Sequence, residues 1–257
     1  MTTACITGAT AGIGRAFADL LAQEGADLVL VARDVQRLEE LAALLSDRHG
    51  IAVEVVPADL ATEQGCAAVA DRLADAEHPV DLVVNNAGFG LNAAFVGGSL
   101  ADEERLLDVL VRAVLRLTHA ALPGMVERGH GQVINVSSVA GWFPTGTYAA
   151  AKAWVTSFSE GLHAELSGTG VTVTALCPGF TRTEFHDRAR MRTSAIPQWA
   201  WLDAHAVAEA GLRDARAGRC VSVPSTRYRL LGAAAQLTPR PLVRRGVAML
   251  PRPRRKG

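Results

Sequence analysis

The feature that most constrains this chain is an alternation of two kinds of segment. ACIT, ADLVLVAR, IAVEVVPAD, VDLVVNNAG, GQVINVSS, GVTVTALCPG and CVSVP are short runs rich in β-branched and apolar residues. Between them lie Ala/Leu-rich stretches with helical spacing, such as AFADLLAQ, VQRLEELAALLSDRH and CAAVADRLADA. The apolar runs lack the polar alternation of a half-exposed strand, so both of their faces need cover. Strand and helix in turn imply right-handed βαβ crossovers and an α/β fold with a doubly wound parallel sheet. At 257 residues, 49% of them hydrophobic, the chain can bury one large core. No repeat and no linker divides it. Composition shifts only near residue 224, where Pro and Arg become frequent. The expectation is a single domain over residues 1–224 with a basic extension over 225–257.

The formal net charge of zero hides an asymmetry. Residues 1–211 hold 14 Lys/Arg against 25 Asp/Glu, and residues 212–257 hold 12 against 1. The tail interleaves Leu, Val and Ala with Arg. It reads as a membrane-surface segment, as a dock for an acidic partner, or as a solvated end with one more packed helix. Pro239, Pro241, Pro251 and Pro253 interrupt any long helix and favour the last. Charge alone does not make a nucleic-acid binder, and none is expected. Cys5, Cys66, Cys177 and Cys220 are scattered without CxxC or paired His. That pattern suggests neither a metal site nor a disulfide framework, and fits a reducing, cytoplasmic setting. Neither a signal peptide nor a run of about 18 apolar residues is visible, so no export and no membrane span are expected.

Thr7 to Gly14 reads TGATAGIG, after the first strand and at the start of a helix. In that setting Gly8 permits a tight turn, Gly12 lets backbone approach a pyrophosphate, and Gly14 allows close helix–sheet packing. Thr10 and Ile13 belong to the same loop, and the helix N-terminus beyond offers N–H groups to the anion. The second strand ends LVARD. Arg33 there favours the 2′-phosphate of NADP, with Arg15 as a second phosphate partner and NAD as the alternative cofactor. Asp34 also suits a helix N-cap.

Lysine occurs twice in the chain, at Lys152 and Lys256. Lys152 lies four residues after Tyr148 and so shares its helix face. A free phenol has a pKa of about 10, and a nearby ammonium lowers it by favouring the phenolate.

TGATAGIG, NNAG at 85–88, the pair Ser137–Ser138, YAAAK at 148–152 and PG at 178–179 occur together and in this order. In this the chain resembles the classical short-chain dehydrogenase/reductase family over roughly residues 1–224. The resemblance implies a Rossmann-type sheet, usually of seven strands, and hydride transfer between NAD or NADP and a carbonyl or alcohol carbon. It implies Tyr148 as acid/base, Lys152 at the nicotinamide ribose, and Ser138 at the substrate oxygen. Asp59 would lie at the adenine, and Asn85, Ala87 and Gly88 beneath the adenine ribose. Pro178, Gly179 and Thr183 would shape the nicotinamide pocket. A homodimer or homotetramer is implied too.

Two departures stand out. Leu110, in DVLVRAV, occupies the place of an asparagine that helps relatives hold a relay water. Leucine has no side-chain hydrogen bond to give, so either a backbone carbonyl holds that water or Leu110 fills the core beside Leu106 and Val114. The segment from Ser138 to Tyr148 is also about three residues shorter than in relatives, which leaves Ser137 as the fallback for Ser138. Trp142 and Phe143 within it line a pocket or cover the sheet end. After the PG turn, Arg182, Arg188, Arg190 and Arg192 mix with Phe185, Met191, Trp199 and Trp201, as a lid over an apolar substrate would. His186 reads as a polar lid residue. A carbonyl or alcohol substrate is expected, against a non-catalytic NADP-binding sensor or scaffold.

Overall fold

The computed structural model describes residues 2–91, 93–185, 189 and 196–248. The seven apolar runs form seven strands: β1 (Thr3–Thr7), β2 (Asp27–Ala32), β3 (Val53–Pro57), β4 (Leu82–Asn85), β5 (Gly131–Val136), β6 (Val171–Leu176) and β7 (Val221–Ser222). They make one sheet in the order β3-β2-β1-β4-β5-β6-β7, and every pairing is parallel. The helices are α1 (Gly12–Gln23), α2 (Val35–His49), α3 (Glu63–Ala74), α4 (Leu100–Leu107), α5 (Ala113–Arg128), α6 (Thr147–Glu165), α7 (Ala204–Arg216), α8 (Thr226–Leu237) and α9 (Arg240–Ala248). Between α4 and α5 the chain stays helical but widens to a π turn over Asp108–Arg112.

Successive strand residues point to opposite faces, and both faces are covered. Ala4, Ile6, Leu28, Leu30, Val84 and Ile134 pack on α1, α2 and α7 through Phe17, Leu21, Leu38, Leu45, Val207 and Leu212. Cys5, Val29, Val31, Val83, Val133 and Val173 pack the other way, on α3 and α5 through Val69, Leu73, Leu117 and Met125. This two-sided burial is why the strands read as unbroken apolar runs. Local signals set the helix starts. Asp34, Thr62, Ser99 and Asp203 each accept a backbone N–H three residues on, from Arg37, Gly65, Asp102 and Ala206.

One helical stretch, Leu100–Arg128, is long and apolar enough to cross a membrane by length and composition. Its Leu106, Leu110, Leu117, Ala121 and Met125 are buried in the core, as on a core helix. After β7, α8 packs on the body through Tyr228. Tyr228 of α8 is buried, and its hydroxyl donates to the Ala200 carbonyl (2.8 Å) and accepts the Phe180 N–H (3.2 Å).

A chain of buried polar groups crosses the sheet. Asn85 Nδ2 donates to Thr118 Oγ1 (3.1 Å) and Asn135 Oδ1 (2.9 Å), and Asn135 Nδ2 donates to Ser159 Oγ (3.0 Å). It ties β4 and β5 to α5 and α6. Asn135→Ala leaves the Asn85 amide and the Ser159 hydroxyl short of a partner. The expected cost is roughly 2–4 kcal/mol, read as a lowered midpoint in urea denaturation, with the far-ultraviolet spectrum unchanged.

Candidate active site

The strand order reverses direction between β1 and β4, which opens a crevice beyond their C-terminal ends. The glycine turn lies there. Gly8 and Gly12 have φ of 67° and 57°, in the left-handed region that favours glycine. A Cβ on Gly14 would fall 2.3 Å from the Gly8 carbonyl oxygen and 2.4 Å from Asn86 Nδ2, so the turn closes only without one. Thr7 and Asn86 fix this approach. Thr7 Oγ1 accepts the N–H groups of Asn86 (2.9 Å) and Ala87 (3.0 Å), and Asn86 Nδ2 donates to the Thr7 carbonyl (2.9 Å). Ala11 caps α1 without a side-chain bond, so the first N–H groups of α1, from Gly12 to Gly14, have neither a side-chain cap nor an intrahelical partner. A glycine cradle with free helix N–H groups fits the pyrophosphate of a dinucleotide. Thr10 and Ile13 sit within it, both half-buried.

Asn85 and Asn86 divide their work in a way the sequence did not show. The Asn85 side chain is buried in the interstrand network described above. Asn86 holds the glycine turn instead. Gly88 carries the chain over Leu110, whose Cδ2 lies 2.8 Å from where a Gly88 Cβ would be.

Ser138, Tyr148 and Lys152 come together at the end of β5. The Ser138 hydroxyl lies beside the Tyr148 phenol and favours its ionised form. Its Oγ also accepts the Ala140 N–H (3.1 Å) and faces the Pro178 carbonyl (3.4 Å). Ser137 is turned inward, donating to the Lys152 carbonyl (2.6 Å) and sharing a bond with Thr156 Oγ1 (2.7 Å). Geometry therefore favours Ser138 over its neighbour despite the short loop. Trp142 packs against Gly232 of α8 and beside Val139, Cys177 and Tyr228.

Lys152 Nζ lies 5.8 Å from the Tyr148 ring centroid and donates to the Val136 carbonyl (2.6 Å). Leu106, Leu110 and Ala151, with Phe89, Leu91, Val111 and Tyr148 against them, form an apolar cluster at this point. Phe185 lies over Tyr148 with ring centroids 5.8 Å apart. Burial accordingly dominates the titration of both groups. It pushes the phenol up to about 12, against the opposing effect of the Ser138 hydroxyl, and pulls the amine down to about 8. The expected lowering of the phenol by the ammonium is therefore reversed here, because desolvation outweighs any attraction to the amine.

Toward the second strand, Arg33 is exposed and Asp34 is the N-cap of α2. Arg15 pairs with Asp19 (2.9 Å). Asp59 is held by Arg105 Nη2 (2.7 Å) and the Ala61 N–H (3.1 Å). Burial works against its charge, but those partners and the Arg33 cation keep the carboxyl below its ordinary value. Arg105 escaped the sequence reading because 46 residues separate the pair. After β6, Gly179 gives way to the Tyr228 ring, 2.1 Å from its missing Cβ, and Pro178 accepts the Val139 N–H (3.1 Å). Thr183 packs on Gly12. Arg182 lies over the Trp201 ring at 5.6 Å, and Arg227 over the exposed Trp199. Of the expected lid, His186, Arg188, Arg190, Met191 and Arg192 lie outside the described residues, as do Pro251, Pro253 and Lys256 of the tail. Among the described residues, no group of three or more His, Cys, Asp or Glu is placed to hold a metal.

A glycine cradle at the switch point and a Ser–Tyr–Lys set beside it define a dinucleotide-dependent oxidoreductase site. The family model for short chain dehydrogenases matches residues 2–193. The chain is 40% identical over 185 residues to sulfoacetaldehyde reductase 2 of Chromohalobacter salexigens, covering 70% of this chain and 73% of that one. Among solved structures it is similar to a short-chain dehydrogenase from Sphingobium yanoikuyae in complex with NADPH (TM-score 0.84, 37% identity, 92% and 94% of the chains). It is also similar to the bulky-bulky ketone specific alcohol dehydrogenase from Comamonas testosteroni (TM-score 0.80, 32% identity, 92% of each chain). The chain belongs to the short-chain dehydrogenase family, oxidoreductases acting on alcohol and carbonyl groups.

The depressed Lys152 pKa has a consequence for stability. Unfolded, the amine titrates near 10.5; folded, at about 8. The penalty for burying the cation is complete below about 8 and is relieved as pH rises from there toward 10.5. Lys152→Met removes that penalty, and its stability relative to the parent should be greater at pH about 7 than at pH about 9.5. Urea midpoints of both proteins at both pH values test this; an equal difference at the two would overturn it.

Proposed function

We propose that this protein is an NADP(H)-dependent reductase of apolar ketones or aldehydes, with the reverse alcohol oxidation available at higher pH. The observation that carries this reading is the half-buried Tyr148 phenol, beside the Ser138 hydroxyl and lying over Lys152, at the C-terminal end of β5. Gly8, Thr10, Gly12, Ile13 and Gly14 would cradle the pyrophosphate, and Arg33 the 2′-phosphate. Asp59 would face the adenine, and the Ala87 and Gly88 backbone the adjoining ribose. Pro178, Gly179 and Thr183 would border the nicotinamide. When bound, the cofactor supplies the hydride.

The chain's own part is proton delivery and positioning. Tyr148 donates its phenolic proton to the carbonyl oxygen as negative charge develops there, and Ser138 gives that oxygen a second hydrogen bond. Burial keeps the phenol protonated at neutral pH, which is the form that reduction consumes. Once the proton has left, the protonated Lys152 beneath the ring favours the phenolate. The apolar cluster of Phe89, Leu91 and Leu110, with Phe185 above the phenol, excludes water and supports an apolar substrate. The ketone specificity in the description of the Comamonas protein agrees with this. Leu110 sits inside a π turn, a feature frequent at functional sites, and is packed with Leu106 and Ala151.

A cytoplasmic location is supported by four free cysteines. A homodimer or homotetramer is supported by the exposed Leu100, Leu107, Leu115 and Val126 along α4 and α5. The basic tail suits contact with an acidic partner or membrane surface.

NADPH oxidation against a panel of ketones, aldehydes and 3-oxoacyl thioesters tests the reading. Tyr148→Phe should lower turnover by about 10²–10⁴ while leaving NADPH affinity within about twofold. Unchanged turnover in the variant, or tight binding without turnover on the whole panel, would overturn it.

A further inference from the structure

The chain that leaves β6 does not stay on its own side of the sheet. β1, β4 and β5 lie between β2 and β6, so four inter-strand steps of ~4.8 Å each separate the two. Within a few residues of Gly179 the chain has nevertheless crossed the crevice. Thr183 rests on the glycine turn, its Cγ2 only 2.8 Å from where a Gly12 Cβ would be. Glu184 forms a fork-on-fork pair with Arg37 in the first turn of α2, Oε1 at 2.8 Å from Nη2 and Oε2 at 3.3 Å from Nη1. Phe185 covers Tyr148 and approaches Gly90. Three consecutive side chains thus strap the crevice at the phosphate turn, at the helix that follows β2, and at the reactive tyrosine.

The Glu184 end of this strap meets the region where Arg33 lies. Arg37 follows Arg33 by four residues, and the N-cap Asp34 binds its backbone N–H. A guanidinium that takes a carboxylate in two parallel hydrogen bonds takes a phosphate in the same way. Asp34 and Glu40 also bear on Arg37 from its own helix, so it is already a well-supported cation.

We infer that Arg37 is a specificity-determining residue for the 2′-phosphate of the cofactor, and that Glu184 competes with that phosphate for the guanidinium. This rests on the dinucleotide reading above. A phosphate carries more charge than a carboxylate and displaces Glu184 from Arg37. The neutral 2′-hydroxyl of NAD has no charge with which to do so and leaves the pair intact. Selectivity for NADP is then the gain at Arg37 less the cost of releasing Glu184. The pair is half-exposed, so that cost is small.

Calorimetry with four probes tests this: NADPH, NADH, 2′,5′-ADP and 5′-AMP. Glu184→Gln should tighten NADPH and 2′,5′-ADP by about two- to fivefold and leave NADH and 5′-AMP unchanged. Arg37→Ala should weaken the two phosphorylated probes by about tenfold, with the other two within about twofold. In the parent protein, 2′,5′-ADP should speed amide exchange in a peptide spanning residues 182–185, and 5′-AMP should not. If Arg37→Ala weakens all four probes alike, or Glu184→Gln fails to tighten the phosphorylated pair, the inference is overturned while the proposed function stands. If the parent binds neither dinucleotide, the proposed function falls and this inference with it.

Discussion

The backbone of this protein passes itself at Gly8 and Gly14 more closely than any side chain would allow, and the crevice is built outward from that approach. The turn brings α1 against β1 with its N-terminal N–H groups facing the switch point. Thr7 and Asn86 lock it, and by doing so they also fix the chain leaving β4. Gly12 is bare enough for Thr183 to settle on it, so the segment leaving β6 is referenced to the same turn. Three separate strand ends are thereby placed relative to one another by a few hydrogen bonds and the absence of three methyl groups.

Dryness is the second organising property. Tyr148 and Lys152 lie on one face of α6, as their spacing requires, but their neighbours decide how they titrate. Leu110, Leu106, Phe89 and Leu91 pack around the pair, and Phe185 lies against the Tyr148 ring. Burial therefore drives the phenol toward its neutral form and the amine toward its own. The π turn at Asp108–Arg112 is the local distortion that carries Leu110 to this position beneath Gly88. An asparagine there would bring a polar group to the same spot; leucine makes the wall apolar.

The C-terminal segment completes the site from behind. Tyr228 fills the space left by Gly179 and binds the backbone of Phe180 and Ala200. Trp142 lies on Gly232 of the same helix. The PG turn, the loop after Ser138 and α8 thus form one packed unit, although the sequence marks the start of α8 only as a change to Pro and Arg.

The sequence alone determined the architecture and most of the chemistry. Strands buried on two faces are apolar at most positions, and the seven runs form the seven strands. A glycine turn between a strand and a helix has few other uses, and a helix repeat sets Tyr148 over Lys152. What it left open were contacts between distant residues. Tertiary structure turned Ser137 into the core and set the Ser138 hydroxyl beside the Tyr148 phenol. It turned Asn85 inward and gave the glycine turn to Asn86. It paired Asp59 with Arg105 and Arg37 with Glu184, and it reversed the expected titration of Tyr148. These depend on which side chains meet across the folded sheet and how much water they exclude, and neither spacing nor composition carries that information.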